Sequence, residues 1–183
     1  MAHHVVRVSS VAPPTISWRC PRCRGDEFIS SDQFRMNTQG KVADIWLIYR
    51  CARCDATKNI TIVDRTPVSK IASSLVDAAL TNDITTARRL ARDVGVLRRN
   101  GAAVLRGDEY VLDGACPPNV GQLRLVFDEP LLVRVDHVAA AALGVSRSAL
   151  RRGVDRGLIS VSTGQLSQLR LTSEVELAFR ATP

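Results

Sequence analysis

The sequence predicts an α+β protein in three parts: a β-rich N-terminal ribbon over 1–65, a helical hairpin and linker over 66–122, and a C-terminal module of two helices and a small sheet over 123–183. Three observations predict it. Two cysteine pairs, "CPRC" at 20–23 and "CARC" at 51–54, stand among strand-like runs; residues 66–100 change to the three-four apolar spacing of one-sided helices; and residues 133–165 read as helix, tight turn, helix, strand. At 183 residues the chain exceeds the usual domain size of about 100 to 150, so a division into small parts is expected.

The ribbon rests on its cysteines. No run approaches the roughly 18 apolar residues of a membrane span, and "MAHHVVRVSSVAPP" lacks the charged start, apolar core and cleavage site of a secretory leader. The expectation is a soluble, cytoplasmic protein with no membrane partner. Disulfides are disfavoured in that compartment, which moves paired cysteines toward metal or redox use. A redox motif would stand alone in a strand-helix-strand setting; here the pair is duplicated, with Arg before each cysteine, and the second follows "VADIWLIYR". Zn2+ takes four tetrahedral thiolate or imidazole ligands, so Cys20, Cys23, Cys51 and Cys54 would complete its shell and leave no position for a catalytic water. The expected metal role is therefore structural.

Strands are expected at "VVRVSSV", "TISWRC", "DEFISSDQFRMN", "VADIWLIYRC" and "DATKNITIVDR", with a break at Pro13 and Pro14 and a turn at "TQGK". Trp18, Phe28, Trp46 and Tyr49 would supply the aromatic core. Pro67 then opens a helical run through Val68, Ile71, Leu75, Val76, Ala79 and Leu80; "TND" stops it and caps a second helix through Ile84, Ala87, Leu90, Ala91 and Val94 to Gly95. Beyond these, "AAVLRGDEYVLDG" reads as a β-hairpin and "CPPN" as a linker, with Cys116 a free thiol of no inferred function.

Charge favours an anionic partner without specifying one. There are 25 Lys and Arg against 18 Asp and Glu, a net +7, which a zinc tetrathiolate would reduce to about +5. Of the 25 cations, 22 are Arg, whose planar fork suits phosphate and base edges.

In the C-terminal part, Asp136 precedes the helix "HVAAAAL", Gly144 ends it, and Ser146 caps "RSALRRGVDRG". Leu150 and Val154 would face inward, with Arg147 and Arg151 on one outer face and Ser148, Arg152 and Arg156 on the next. Small residues, the alanines and Gly153, would let the two helices approach closely. After Gly157 the pattern becomes strand-like in "LISVS" and "QLRLTSEVELAF".

The order Arg134-x-Asp136, Leu143-Gly144-x-Ser146-Arg147-Ser148, Arg151-Arg152, Gly157-x-Ile159-x-Val161 resembles the S4 RNA-binding domain over residues 131–179. That resemblance implies two helices followed by a small sheet, with Arg134, Ser146, Arg147, Ser148, Arg151, Arg152 and Arg156 toward the nucleic acid; Arg134 and Asp136 could equally form a structural ion pair. The whole chain, through "WRCPRC", "WLIYRCARC", the helical segment and "LGVSRSALRR", also resembles an uncharacterised bacterial zinc-ribbon family, a resemblance that implies architecture and no activity.

The function expected is binding of RNA, ribosomal or otherwise structured, since such RNA is read largely through shape and backbone. The ribbon would be a second contact surface. The alternatives are a helix-turn-helix DNA-binding regulator and a protein-interaction module without nucleic acid. An enzyme is not expected: the histidines are only His3, His4 and His137, no phosphate-binding loop is present, and the metal shell would be closed, so no small-molecule substrate is inferred.

Overall fold

A computed structural model describes residues 3–114, 121–162 and 169–179. They form ten strands, one 3-10 turn and five helices of six to nine residues, and the chain divides into two units, Pro13–Arg106 and Met1–Ala12 with Gly107–Pro183. The expected α+β class is corrected: the protein is predominantly β, built on two five-stranded sheets, and the helical hairpin is absent as such. Residues 66–106 share a unit with the cysteines, while 107–122 belong to the other.

In the first of these units, β2 (Thr15–Ser17), β3 (Glu27–Gln39), β4 (Val42–Cys51), β5 (Thr57–Pro67) and β6 (Ala103–Arg106) form an antiparallel sheet ordered β5-β4-β3-β2-β6. Alternation dictates the faces: Ala43, Ile45, Leu47, Tyr49 and Cys51 of β4 are buried, so the strand that carries the core runs straight into the third cysteine. Phe28 is buried with them and meets Trp18 edge to face, with ring centroids 5.4 Å apart.

Where a hairpin was expected, three helices lie against this sheet: α1 (Ser73–Thr81), α2 (Ile84–Ala91) and α3 (Val94–Arg99). Their buried residues are mostly small, with Ala78, Ala79, Ala87 and Ala91 joined by Val96 and Leu97. The apolar spacing looked continuous because it follows one packed surface. The breaks come from polar side chains that satisfy free backbone groups. Asn82 is left-handed and ends α1, Asp83 caps α2 through Thr86 N–H, and Asp93 caps α3 through Val96 N–H. Two asparagines then fasten helix ends to strands. Asn82 accepts from Phe34 N–H at 2.8 Å, and Asn100 both accepts from Thr61 N–H at 2.7 Å and donates to Thr61 O at 2.9 Å.

In the other unit the sheet is β7-β1-β8-β10-β9, comprising β1 (His3–Ala12), β7 (Glu109–Asp113), β8 (Gln122–Arg134), β9 (Ile159–Val161) and β10 (Leu169–Phe179). Only β1 and β8 are parallel. Expected beside the ribbon, β1 instead pairs with residues more than a hundred positions away, and the chain leaves it at Pro13-Pro14, which supply no N–H to a ladder. β8 continues without a loop into α4 (Val135–Ala142), and α5 (Arg147–Asp155) follows a four-residue turn. Val6, Val8, Leu123, Leu125, Phe127, Val138, Leu150, Val175 and Leu177 form the core between sheet and helices.

Gly144, with φ of 63°, closes α4 in a doubly bonded cap: Val145 N–H donates to Ala140 O at 3.0 Å and Gly144 N–H to Ala141 O at 3.1 Å. Gly153 is small for a reason other than the one expected. A Cβ there would meet Ile159 of β9 at 2.7 Å, so the close neighbour is a strand residue and not the facing helix. The expected turn through Gly164 and the thiol Cys116 lie outside the described residues.

These two glycines should respond differently to alanine. Gly144→Ala should lower stability by about 1 kcal/mol, because a left-handed residue with a Cβ is disfavoured by about that much. Gly153→Ala should cost less, since about 1 kcal/mol of helix propensity offsets part of the displacement of Ile159, whose Cδ1 and Cγ1 would lie 2.7 and 3.1 Å from the new Cβ. Chemical denaturation of the two variants checks the contrast.

Candidate functional site

Two knuckles with matching hydrogen bonds bring the four cysteines together. In the first, Cys20 N–H donates to Gly25 O at 2.7 Å and Arg24 N–H to Cys20 O at 2.9 Å; in the second, Cys51 N–H donates to Ala56 O and Asp55 N–H to Cys51 O, both at 2.9 Å. Arg24 and Asp55 occupy the same place after each second cysteine and both are left-handed, with φ of 61° and 59°. The conformation turns each chain back, so that both sulfurs of a pair face inward. Ala52 N–H donates to Glu27 O at 3.0 Å and holds the second knuckle against β3.

All four Sγ atoms lie within 4.8 Å of one another, and the Cys20–Cys54 and Cys23–Cys51 separations are each 3.6 Å. The thiols are free, with Cys20 and Cys51 buried and Cys23 and Cys54 half-buried. A tetrahedron with metal–sulfur bonds of 2.3 Å has edges of about 3.8 Å. The donor set therefore fits a metal ion, and all four predicted ligands are brought together.

Proton chemistry agrees. The Cys23 backbone N–H, opposed by burial, draws the Cys20 thiol down to about 7. At Cys54 the Ala56 N–H acts in the same direction, but burial and the thiols of Cys23, Cys20 and Cys51 push it up to about 12. Four thiolates this close repel, and a bound cation removes the conflict by displacing the protons. Beside the site, Lys58 Nζ lies 4.2 Å from the Trp18 ring centroid, and partial burial lowers its pKa.

The predicted nucleic-acid residues are at the start and along the outside of α5. Ser146 caps the helix through Ala149 N–H at 3.1 Å, and Arg147, Ser148, Arg151, Arg152 and Arg156 are exposed. Arg134 is half-buried at the end of β8 and binds Asp136 through two hydrogen bonds of 3.1 Å. Sequence reasoning placed Arg134 toward the nucleic acid, with an ion pair to Asp136 as the alternative, and missed that Arg147 shares the same carboxylate, at 3.0 Å. Its signal was Asp136 itself, the one acidic residue between Glu129 and Asp155. Burial raises the Asp136 pKa, but the bonds from Arg134 and Arg147 outweigh it and hold the carboxyl below its ordinary value. Arg151 reaches Asp155 only at 4.0 Å, with both side chains largely exposed. No helix among the described residues is long and apolar enough to cross a membrane.

Fold and site together define a β-rich protein of two units, one of which carries a four-cysteine centre able to hold a metal ion. Residues 36–165 match the family model described as "Protein of unknown function (DUF1062)", and the chain belongs to that family. The matched span takes in Cys51, Cys54 and both C-terminal helices and begins after Cys20 and Cys23. No curated protein and no solved structure matches the chain.

Two outcomes follow. Cys51→Ser should abolish binding of one metal ion per chain and unfold the knuckles, because the binding free energy of such a site, on the order of 10 kcal/mol, is also folding free energy; elemental analysis with circular dichroism checks this. Asp136→Ala should lower stability by about 1 kcal/mol at neutral pH, since the two guanidinium groups it engages are about half exposed and rehydrate when it is removed. Because the folded pKa is depressed, that contribution is complete above the unfolded value near 3.8 and disappears as pH falls below it, so denaturation curves of variant and parent should converge in acid.

Proposed function

We propose that this protein binds structured RNA through the outer face of α5, with a zinc ion as the structural centre of its other unit. The observation that carries the reading is the exposed group Arg151, Arg152 and Arg156 on a helix whose ends are both fixed. Leu150 anchors α5 in the core, Ser146 closes its first turn, and at its last turn Gly157 N–H and Leu158 N–H bond Val154 O and Gly153 O at 2.9 Å each. A rigid display of planar donors suits a surface of phosphate oxygens, which position RNA without reading its bases.

Zinc is favoured by the donors. Four thiolates in a closed tetrahedron suit a cation with no demand for an open position, and a cytoplasmic setting would keep these cysteines reduced. The metal is assigned no reaction, and the chain no substrate.

A helix-turn-helix reading on DNA would need the N-terminal residues of the second helix free to reach base edges. Arg147, the first of them, is engaged by Asp136. Backbone recognition by residues further along the helix is less affected by that engagement, which favours RNA.

Arg151→Ala combined with Arg152→Ala should weaken binding to a structured RNA hairpin and reduce the slope of log affinity against log salt by about two, roughly one per phosphate contact. Fluorescence anisotropy across a salt series measures it. An unchanged slope would remove α5 from the interface.

A further inference from the structure

A second group of exposed positive charge lies on the two knuckles. Arg19, Arg22, Arg24, Arg50 and Arg53 are all exposed. Arg50 is paired with Asp55 at 2.9 Å, whereas Arg19, Arg22, Arg24 and Arg53 have no carboxylate partner among the described residues. We propose that these four arginines form a second binding surface, built on the metal knuckles, for the phosphate backbone of a nucleic acid.

Three features lead from the arginines to this partner. The first is a fixed backbone: the two knuckles that carry these arginines are closed by the Cys20–Gly25, Cys20–Arg24, Cys51–Ala56 and Cys51–Asp55 hydrogen bonds, so on binding the side chains alone remain to be ordered. The second is convergence. A Cβ at Gly25 would lie 3.6 Å from Cβ and 3.8 Å from Cδ of Arg53, so the arginine of the second knuckle lies along the first, next to Arg24. The third is a local cost. Arg24 holds a left-handed conformation that glycine adopts freely and that costs an ordinary residue about 1 kcal/mol, and its side chain has no carboxylate partner among the described residues. Its counterpart Asp55, of a type that tolerates this conformation, is engaged by Arg50.

Neutralising the thiolates does not account for the whole cluster. Five arginines and Lys58 against Asp26, Asp55 and a metal tetrathiolate of about −2 leave a local charge of about +2. Between the arginines the exposed knuckle residues are Pro21, Ala52, Asp26 and Asp55, which offer no large apolar anchor for a protein partner. Paired planar forks over a polar tip match phosphate oxygens.

The surface is independent of α5, and its test keeps the two apart. The full-length protein, loaded with metal, is titrated by anisotropy with a labelled RNA hairpin and with a DNA duplex of equal length. Arg22→Ser, Arg24→Gly and Arg53→Ser together should keep one metal ion per chain and lower the salt slope by about two to three on whichever probe binds. Arg19→Ser with Arg22→Ser, at positions of ordinary backbone, should lower it by about two and serves if the triple variant loses its metal. The RNA and duplex arms identify the nucleic acid; loss in these variants with normal binding by the α5 variant would support the knuckles and refute α5. Unchanged slopes with metal retained, no binding of either probe by the parent, or equal knuckle-dependent binding of polyglutamate would overturn the proposal.

Discussion

Four sulfur atoms within 4.8 Å of one another are the constraint on which the cysteine-bearing unit depends. Thiolates so placed repel one another, so without a cation they resist ionising together. A cation turns that repulsion into attraction and ties together segments nearly thirty residues apart in the chain. From this point the sheet extends outward. Cys51 is the last residue of β4, Ala52 is bonded to the first residue of β3, and Cys20 shares its core with Ile16, Phe28 and Tyr49. On the helix side this core is closed mainly by small residues, Ala78, Ala79, Ala87 and Ala91 with Val96 and Leu97, and a metal crosslink is a fitting complement to so light a cover.

The other unit is held by a long strand and by a half-buried carboxylate where that strand ends. β8 pairs with β1 on one side and β10 on the other, then passes directly into α4. At that junction Asp136 gathers Arg134 from the strand and Arg147 from α5, so a single acidic residue links strand end and second helix. Two of the arginines that sequence assigned to a ligand thus have a structural duty, and the solvent-facing charge shifts toward Arg151, Arg152 and Arg156.

Local chemistry was legible and distant pairing was not. The knuckles follow from spacing, the α4 end from Gly144, the α5 start from Ser146, and the strands around the cysteines from alternation. The placement of β1 could not be read, because nothing in "VVRVSSV" records that its partner begins at residue 122. β8 offered the alternation Leu123, Leu125, Phe127, but Asp128 to Pro130 interrupt it, where the pairing with β10 also slips. Residues 66–100 misled in another way. Their apolar period reports one covering surface, while Asp93, read as helix interior, is a cap that divides the second segment in two.

Sulfur-shell spectroscopy tests the central claim most directly. X-ray absorption at the edge of the metal in protein purified without added ions should give zinc with a single shell of four sulfurs at about 2.3 Å. A shell containing nitrogen or oxygen, or protein that is folded and metal-free, would contradict it.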